Sequence, residues 1–117
     1  MKISIAIADQ TFTAVLDEGP AARDFASLLP LDVTLADYNR TEKVADLPRR
    51  LSTDGEPDGI DPALGDLAYY APWGNLAIFY REFPFSRGLI RLGRIEGDIA
   101  ALALIDGAPA RIELLIP

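Results

Sequence analysis

Apolar and polar residues alternate by twos over much of this chain, the period of a strand with one buried face. Lys2-Ile3-Ser4-Ile5 and Thr11-Phe12-Thr13-Ala14-Val15 carry that pattern, so residues 2–8 and 11–16 read as a hairpin broken at Asp9-Gln10. Pro20 follows Gly19 and suits a first helical position, where the missing N–H would be unpaired anyway. Ala21, Phe25, Leu28 and Leu29 then recur at helical spacing, and Pro30 ends the run. Leu31 to Tyr38 alternates again and predicts a third strand.

Residues 39–51 are irregular and charged. Ser52 to Gly65 is almost wholly turn residues and predicts a long exposed loop. Two strand runs follow, 66–70 and 76–80, joined by Ala71-Pro72-Trp73-Gly74-Asn75. Beyond the aromatic loop Glu82-Phe83-Pro84-Phe85-Ser86, Leu89 to Ile95 reads as a strand. Ile99 to Ile105 is apolar without a decisive period, fitting a short helix or a strand. Arg111 to Ile116 closes the chain as a strand. With no internal repeat and no linker, residues 1–117 form one predicted domain, a mostly β barrel or sandwich with two short helices.

Composition narrows the chemistry. The chain has no Cys, hence no disulfide framework, thiolate nucleophile or zinc–thiolate site. It has no His, which removes imidazole triads and the commonest transition-metal ligand. No cofactor is expected. The apolar start ends at Asp9, too short for a secretion signal, so the expected compartment is the cytoplasm. No apolar run approaches the roughly 20 residues that span a bilayer, and the net charge of −7 disfavours nucleic acid.

Charge is nevertheless unevenly spread. Arg81, Arg87, Arg91 and Arg94 cluster near one acid, Glu82, while residues 54–66 hold five acids and no base. Asp54, Glu56 and Asp58 with Gly59 match part of a calcium loop in spacing alone. The twelfth position is Gly65 and Pro57 interrupts, so no metal site is expected.

Two stretches carry a resemblance. Asp37-Tyr38-Asn39-Arg40-Thr41-Glu42-Lys43-Val44-Ala45-Asp46-Leu47-Pro48 and Gly65-Asp66-Leu67-Ala68-Tyr69-Tyr70-Ala71-Pro72-Trp73-Gly74-Asn75-Leu76-Ala77-Ile78-Phe79-Tyr80 resemble a bacterial cyclophilin-like family whose function is uncharacterised. Leu92-Gly93-Arg94-Ile95-Glu96-Gly97 is similar to the strand and turn that lead into the second helix of true cyclophilins. The likeness extends over nearly the whole chain. It implies an eight-stranded closed antiparallel barrel with two short capping helices, and so decides between barrel and sandwich. It departs from the isomerases in lacking their pocket His and their Gln-Gly-Gly-Asp segment; no Gln follows Gln10.

Strand alternation sets Tyr69 against Tyr70 and Phe79 against Tyr80, so one of each pair is expected in the core. Trp73 sits in a turn, where an aromatic has less core to join and is free to line a groove. The expected ligand-binding residues are Arg40, Tyr70, Trp73, Asn75, Phe83 and Phe85, with Phe83-Pro84-Phe85 as a lip. The expected function is a small binding module that holds a peptide or small molecule at one barrel face, with no catalytic residue. The alternative is a weak peptidyl-prolyl isomerase using Arg40, Arg49 or Arg50. Amide rotation, with a barrier of about 18–20 kcal/mol, needs neither His nor Cys. A third reading makes the protein a structural partner whose aromatics are all core.

Overall fold

The computed structural model describes residues 1–115. In chain order the elements are β1 (Lys2–Ile7), β2 (Gln10–Leu16), α1 (Pro20–Ala26), β3 (Leu31–Tyr38), β4 (Glu42–Asp46) and β5 (Gly59–Ile60). There follow β6 (Asp66–Tyr70), β7 (Asn75–Phe79), β8 (Ser86–Arg87), β9 (Leu89–Glu96), α2 (Ala100–Ala103) and β10 (Ala108–Leu114). Eight strands close a barrel in the order β1-β10-β3-β4-β7-β6-β9-β2, with neighbours antiparallel. The closed antiparallel barrel expected from the resemblance is what forms, and closure pairs each of its strands on both sides. β5 and β8 pair separately as a small flap over the outer face.

Alternation builds the interior. Ile3, Ile5 and Ile7 from β1, Leu67 and Tyr69 from β6, and Leu76 and Ile78 from β7 point inward and are buried. Burying each such side chain contributes about 1.5–3 kcal/mol. Tyr69 is enclosed with its phenol oxygen accepting the Leu51 N–H at 3.1 Å, so its polar tip is satisfied. A bulge between β6 and β9 accommodates one more residue on β9. Leu67 pairs Gly93 and Ala68 pairs Arg91, leaving Leu92 as the extra residue, fully buried.

α1 buries Ala21, Ala22, Phe25 and Ala26. It ends at Ala26, after which the chain tightens into i→i−3 turns, the Leu28 and Leu29 N–H groups donating to the Phe25 and Ala26 carbonyls at 3.0 and 3.2 Å, before Pro30 stops it. Gly19 has no side chain to cap the start. Glu56 does so from the acidic loop, its Oε2 accepting the Ala21 N–H at 3.0 Å. The apolar segment from Ile99 resolves as the short α2, reached from β9 through Gly97. Of the predicted last strand, Ile116 lies outside the described residues.

β4 corrects an expectation. Residues 42–46 form a central barrel strand where the sequence pattern predicts irregular chain. Its alternation is masked because both faces carry a charge, Lys43 inward and Glu42 outward. Inside, Lys43 is 2% exposed; its Nζ lies 3.2 Å from Asp37 Oδ1, donates also to the Ile105 carbonyl, and sits 5.3 Å from the Tyr80 ring centroid. The Tyr80 hydroxyl donates to the same Asp37 oxygen. That hydrogen bond, with help from Lys43 and the Arg40 N–H, holds the Asp37 carboxyl below its usual range. Burial first, then Asp37, pushes the Tyr80 phenol up to about 12. The preceding turn holds Asn39 and Arg40 at φ 55° and 53°, the sign pattern of a type I′ hairpin.

Candidate functional site

The outer face of β4, β7, β6 and β9 carries a second apolar cluster, separate from the barrel interior. Register builds it in rows. One row sets Tyr38 beside Glu42 and Glu42 beside Phe79. The next sets Val44 beside Ala77 and Ala77 beside Ala68. A third sets Asn75 beside Tyr70 and Tyr70 beside Leu89. The middle row is small and the flanking rows are large, so a depression must lie between them.

The flap deepens it. Gly59 of β5 faces β8 so closely that an added Cβ would collide with the Ser86 carbonyl oxygen and stand 2.9 Å from Arg87 Cα, so only glycine allows this approach. Gly88, at φ 92°, donates its N–H to the Asp58 carbonyl at 2.8 Å and accepts the Ala71 N–H at 2.9 Å. It thereby ties the flap to the turn that carries Trp73. Arg50 supports that turn from the other side, donating to the Ala71 carbonyl at 2.6 Å.

The resulting cavity is about 180 Å³. Its base is Val44, Asn75, Phe79 and Leu89; Tyr38, Tyr70 and Trp73 stand on one side, and Phe83 and Ser86 come from the flap segment. Trp73 meets the rings of Tyr38 and Tyr70 nearly at right angles, with centroids 5.6 and 5.3 Å away. Phe83 lies across Phe79 at 6.5 Å.

Two polar groups in this lining stand out. Asn75 is buried, and its Oδ1 has no hydrogen-bond partner among the described residues. An unpaired buried carbonyl oxygen costs about 1–3 kcal/mol, and native interiors rarely tolerate it without cause. Glu42, half-buried, has no hydrogen bond or ion pair among the described residues. Its burial, reinforced by the Asp37 charge, raises its carboxyl from the usual range to about 7. A carboxyl titrating near neutrality is able to hold a proton or a charge according to what binds beside it.

Of the residues expected from sequence, the structure brings Tyr70, Trp73, Asn75 and Phe83 together in this cavity. Arg40 and Phe85 are not among its lining residues. Arg40 sits in the β3–β4 turn, where its charge is felt by Tyr80. Phe85 is 61% exposed and packs on the outside of the flap at Gly59. Arg49 is also elsewhere, in a two-point contact with Asp24 at 2.8 and 2.9 Å. Thus neither Arg40, Arg49 nor Arg50 lines the cavity. Phe79 and Tyr80 do point to opposite faces, but both are buried, Phe79 beneath the flap segment. Sequence reasoning missed Tyr38, Glu42, Val44, Phe79, Ser86 and Leu89 as lining. The one available signal was the adjacent pair Glu42-Lys43, which on any strand must divide two charges between two faces.

Among the described residues no cluster of acids is placed to hold a metal ion. Nor is any of their helices long and apolar enough to cross a membrane.

The closed eight-stranded antiparallel barrel with two short helices is the architecture of a cyclophilin-like domain. The chain belongs to the cyclophilin-like family, whose model matches residues 5–116. It is similar in structure to the hypothetical protein AF2241 from Archaeoglobus fulgidus, known as a solution structure. The TM-score is 0.73 at 21% identity, over 97% of this chain and 93% of that one. At that identity the likeness carries the fold alone, and an archaeal relative gives no ground for a bacterial restriction. No curated protein matches the chain.

Proposed function

We propose that this protein is a binding module whose ligand seat is the outer-face cavity between the Trp73 turn and the flap. The observation that carries the reading is Asn75. Its buried Oδ1 lacks a partner among the described residues while its side chain lines an aromatic cavity, an arrangement that a ligand donor would complete. The cavity volume, about 180 Å³, suits a single side chain or small head group better than a drug-sized molecule. The exposed rims of Trp73 and Phe83, at 56% and 38%, offer apolar surface to whatever carries that group.

A heteronuclear NMR titration with proline-containing peptides and small metabolites tests this. Shifts concentrated at Tyr70, Trp73, Asn75 and Phe83, with Arg40 and Phe85 unmoved, support the seat. Saturable shifts centred on Arg40 instead would remove it. A coupled proline-isomerisation assay on the same samples addresses the enzymatic alternative, which predicts loss of activity in one of Arg40→Ala, Arg49→Ala or Arg50→Ala.

A further inference from the structure

We propose that the group this cavity selects is an organic cation, an ammonium centre carrying alkyl substituents, held among the aromatic rings above Glu42. The inference rests on the binding-module reading and names its ligand class. Three observations converge on it. First, Tyr38, Tyr70 and Trp73 form a corner of mutually steep rings, with interplanar angles of 82° and 80°, while Phe79 and Phe83 close another side. Ring faces carry negative potential and attract a cation placed over them, most strongly where Trp contributes and water is displaced, and five rings line this one volume.

Second, among the described residues Glu42 is the one charged group lining the cavity, and no Lys or Arg stands beside it there. The adjacent cation, Lys43, points through the sheet to Asp37 and the Ile105 carbonyl. An anion would meet a carboxylate and ring faces. A neutral guest would leave Glu42 desolvated and uncompensated. A cation offsets that penalty while Glu42 stays charged; beside a neutral guest the carboxyl takes up a proton instead.

Third, the remaining lining favours alkylation. Val44, Leu89 and the rings offer apolar contact to alkyl substituents, and a hydroxyl on one of them supplies the donor that Asn75 Oδ1 lacks, whereas a bare ammonium would need acceptors for all its N–H groups. Such a head group occurs both on small soluble molecules and on methylated lysine side chains, and the recognition chemistry is the same.

Protonation of Glu42 competes with the cation. Tyr38 from β3 faces it, Asp37 acts on it from the other side of the sheet through its charge, and β7 and the flap segment present Phe79 and Phe83, neither of which titrates. With a carboxyl near 7, cation affinity rises with pH across neutrality.

The test titrates the intact protein with tetramethylammonium, choline and the neutral choline isostere 3,3-dimethylbutan-1-ol. Fluorescence of Trp73, the single tryptophan, and NMR shifts of Asn75 report binding. At pH 8 choline is expected to bind at least about tenfold tighter than its isostere, a difference of about 1.4 kcal/mol. Glu42→Gln lowers that ratio to what the rings alone supply, and the wild-type affinity falls by about tenfold from pH 8 to pH 6 while the variant's stays flat. Equal affinity for choline and the isostere, or tighter binding of methylammonium than of tetramethylammonium, overturns the cation proposal and leaves the seat intact. Silence of Trp73 and Asn75 towards the cations, the isostere and the peptides overturns both. A trimethyllysine peptide binding tenfold tighter than choline assigns the cation to a side chain, and parity assigns it to a free molecule; either supports the proposal.

Discussion

Lys43 and Glu42 are neighbours on one strand, yet they stand in opposite conditions. Lys43 is enclosed in the barrel with a carboxylate, a backbone carbonyl and an aromatic ring around it. Glu42, on the outer face, has only Asp37's like charge acting on it and no partner among the described residues. The inner cluster is complete, and completeness turns buried charge into a rigid joint between β3, β4 and the segment after α2. The outer pair, Glu42 with Asn75, is incomplete and lies in a cavity. A fold that satisfies its buried charge on one face of a strand and leaves polar groups unmet on the other reserves the second face for something else.

The comparison breaks most readily at Asp37. Asp37→Ala leaves Lys43 without its counter-charge, held by the Ile105 carbonyl and the Tyr80 ring alone. With Asp37 itself one-third exposed, the cost should be about 2–3 kcal/mol by urea denaturation at pH 7. A loss below about 1 kcal/mol would show that the inner cluster is no joint at all. Because the folded-state carboxyl is held below its ordinary value, Asp37's contribution is present above the unfolded value. It disappears as pH falls through the lowered folded one.

Glu42 should behave oppositely. Its folded value, about 7, lies above the ordinary 4.5, so the native state binds the extra proton between those limits. Stability from this group is full below about pH 4.5 and declines as pH rises through about 7. Allowing for its partial exposure, Glu42→Gln should therefore stabilise the protein by about 1–2 kcal/mol at pH 8 and leave it unchanged at pH 4. Equal curves for both proteins across that range would mean that the carboxylate is already well accommodated.

A half-buried but satisfied carboxylate should fall between the two. Asp24 binds Arg49 at two points and accepts the Ser52 N–H at 2.7 Å, which holds its carboxyl down at about 2. Asp24→Ala should lose about 1 kcal/mol at pH 7, with the wild-type advantage vanishing as pH falls from about 4 to 2. The smallest expected effect is the sharpest. Asn75→Leu removes an unpaired acceptor at no cost in hydrogen bonds, so stability should hold or rise by about 1 kcal/mol while any ligand response of Trp73 is lost. A large destabilisation would show that the amide is structural.

Strand periodicity located β1, β2 and β3, where one face meets the core and the other is water-facing or only partly covered. The strands β6 and β7, buried on both faces, were legible from their strand composition, and β9 and β10 were read with slightly different bounds. β4 escaped because its outward and inward faces both hold charge. β5 and β8 escaped because two-residue strands have no period to read. In the cavity, Trp73 and Asn75 were legible from their turn, where aromatic and amide residues have little local reason to be. Glu42, Phe79 and Leu89 were not, since their meeting depends on register across three strand pairs.

By itself the sequence determined that this is a mostly β protein without thiol or imidazole chemistry, because composition and alternation are local properties. The family motifs along it carried the closed barrel. Which charge points inward, and which residues share a row, only the tertiary structure decided. A one-residue change of register would exchange Lys43 and Glu42 between the faces of the sheet, and nothing in their local sequence fixes that choice. It is settled by the pairing of β4 with β3 and β7, and through it by where Asp37 and Phe79 stand when the barrel closes.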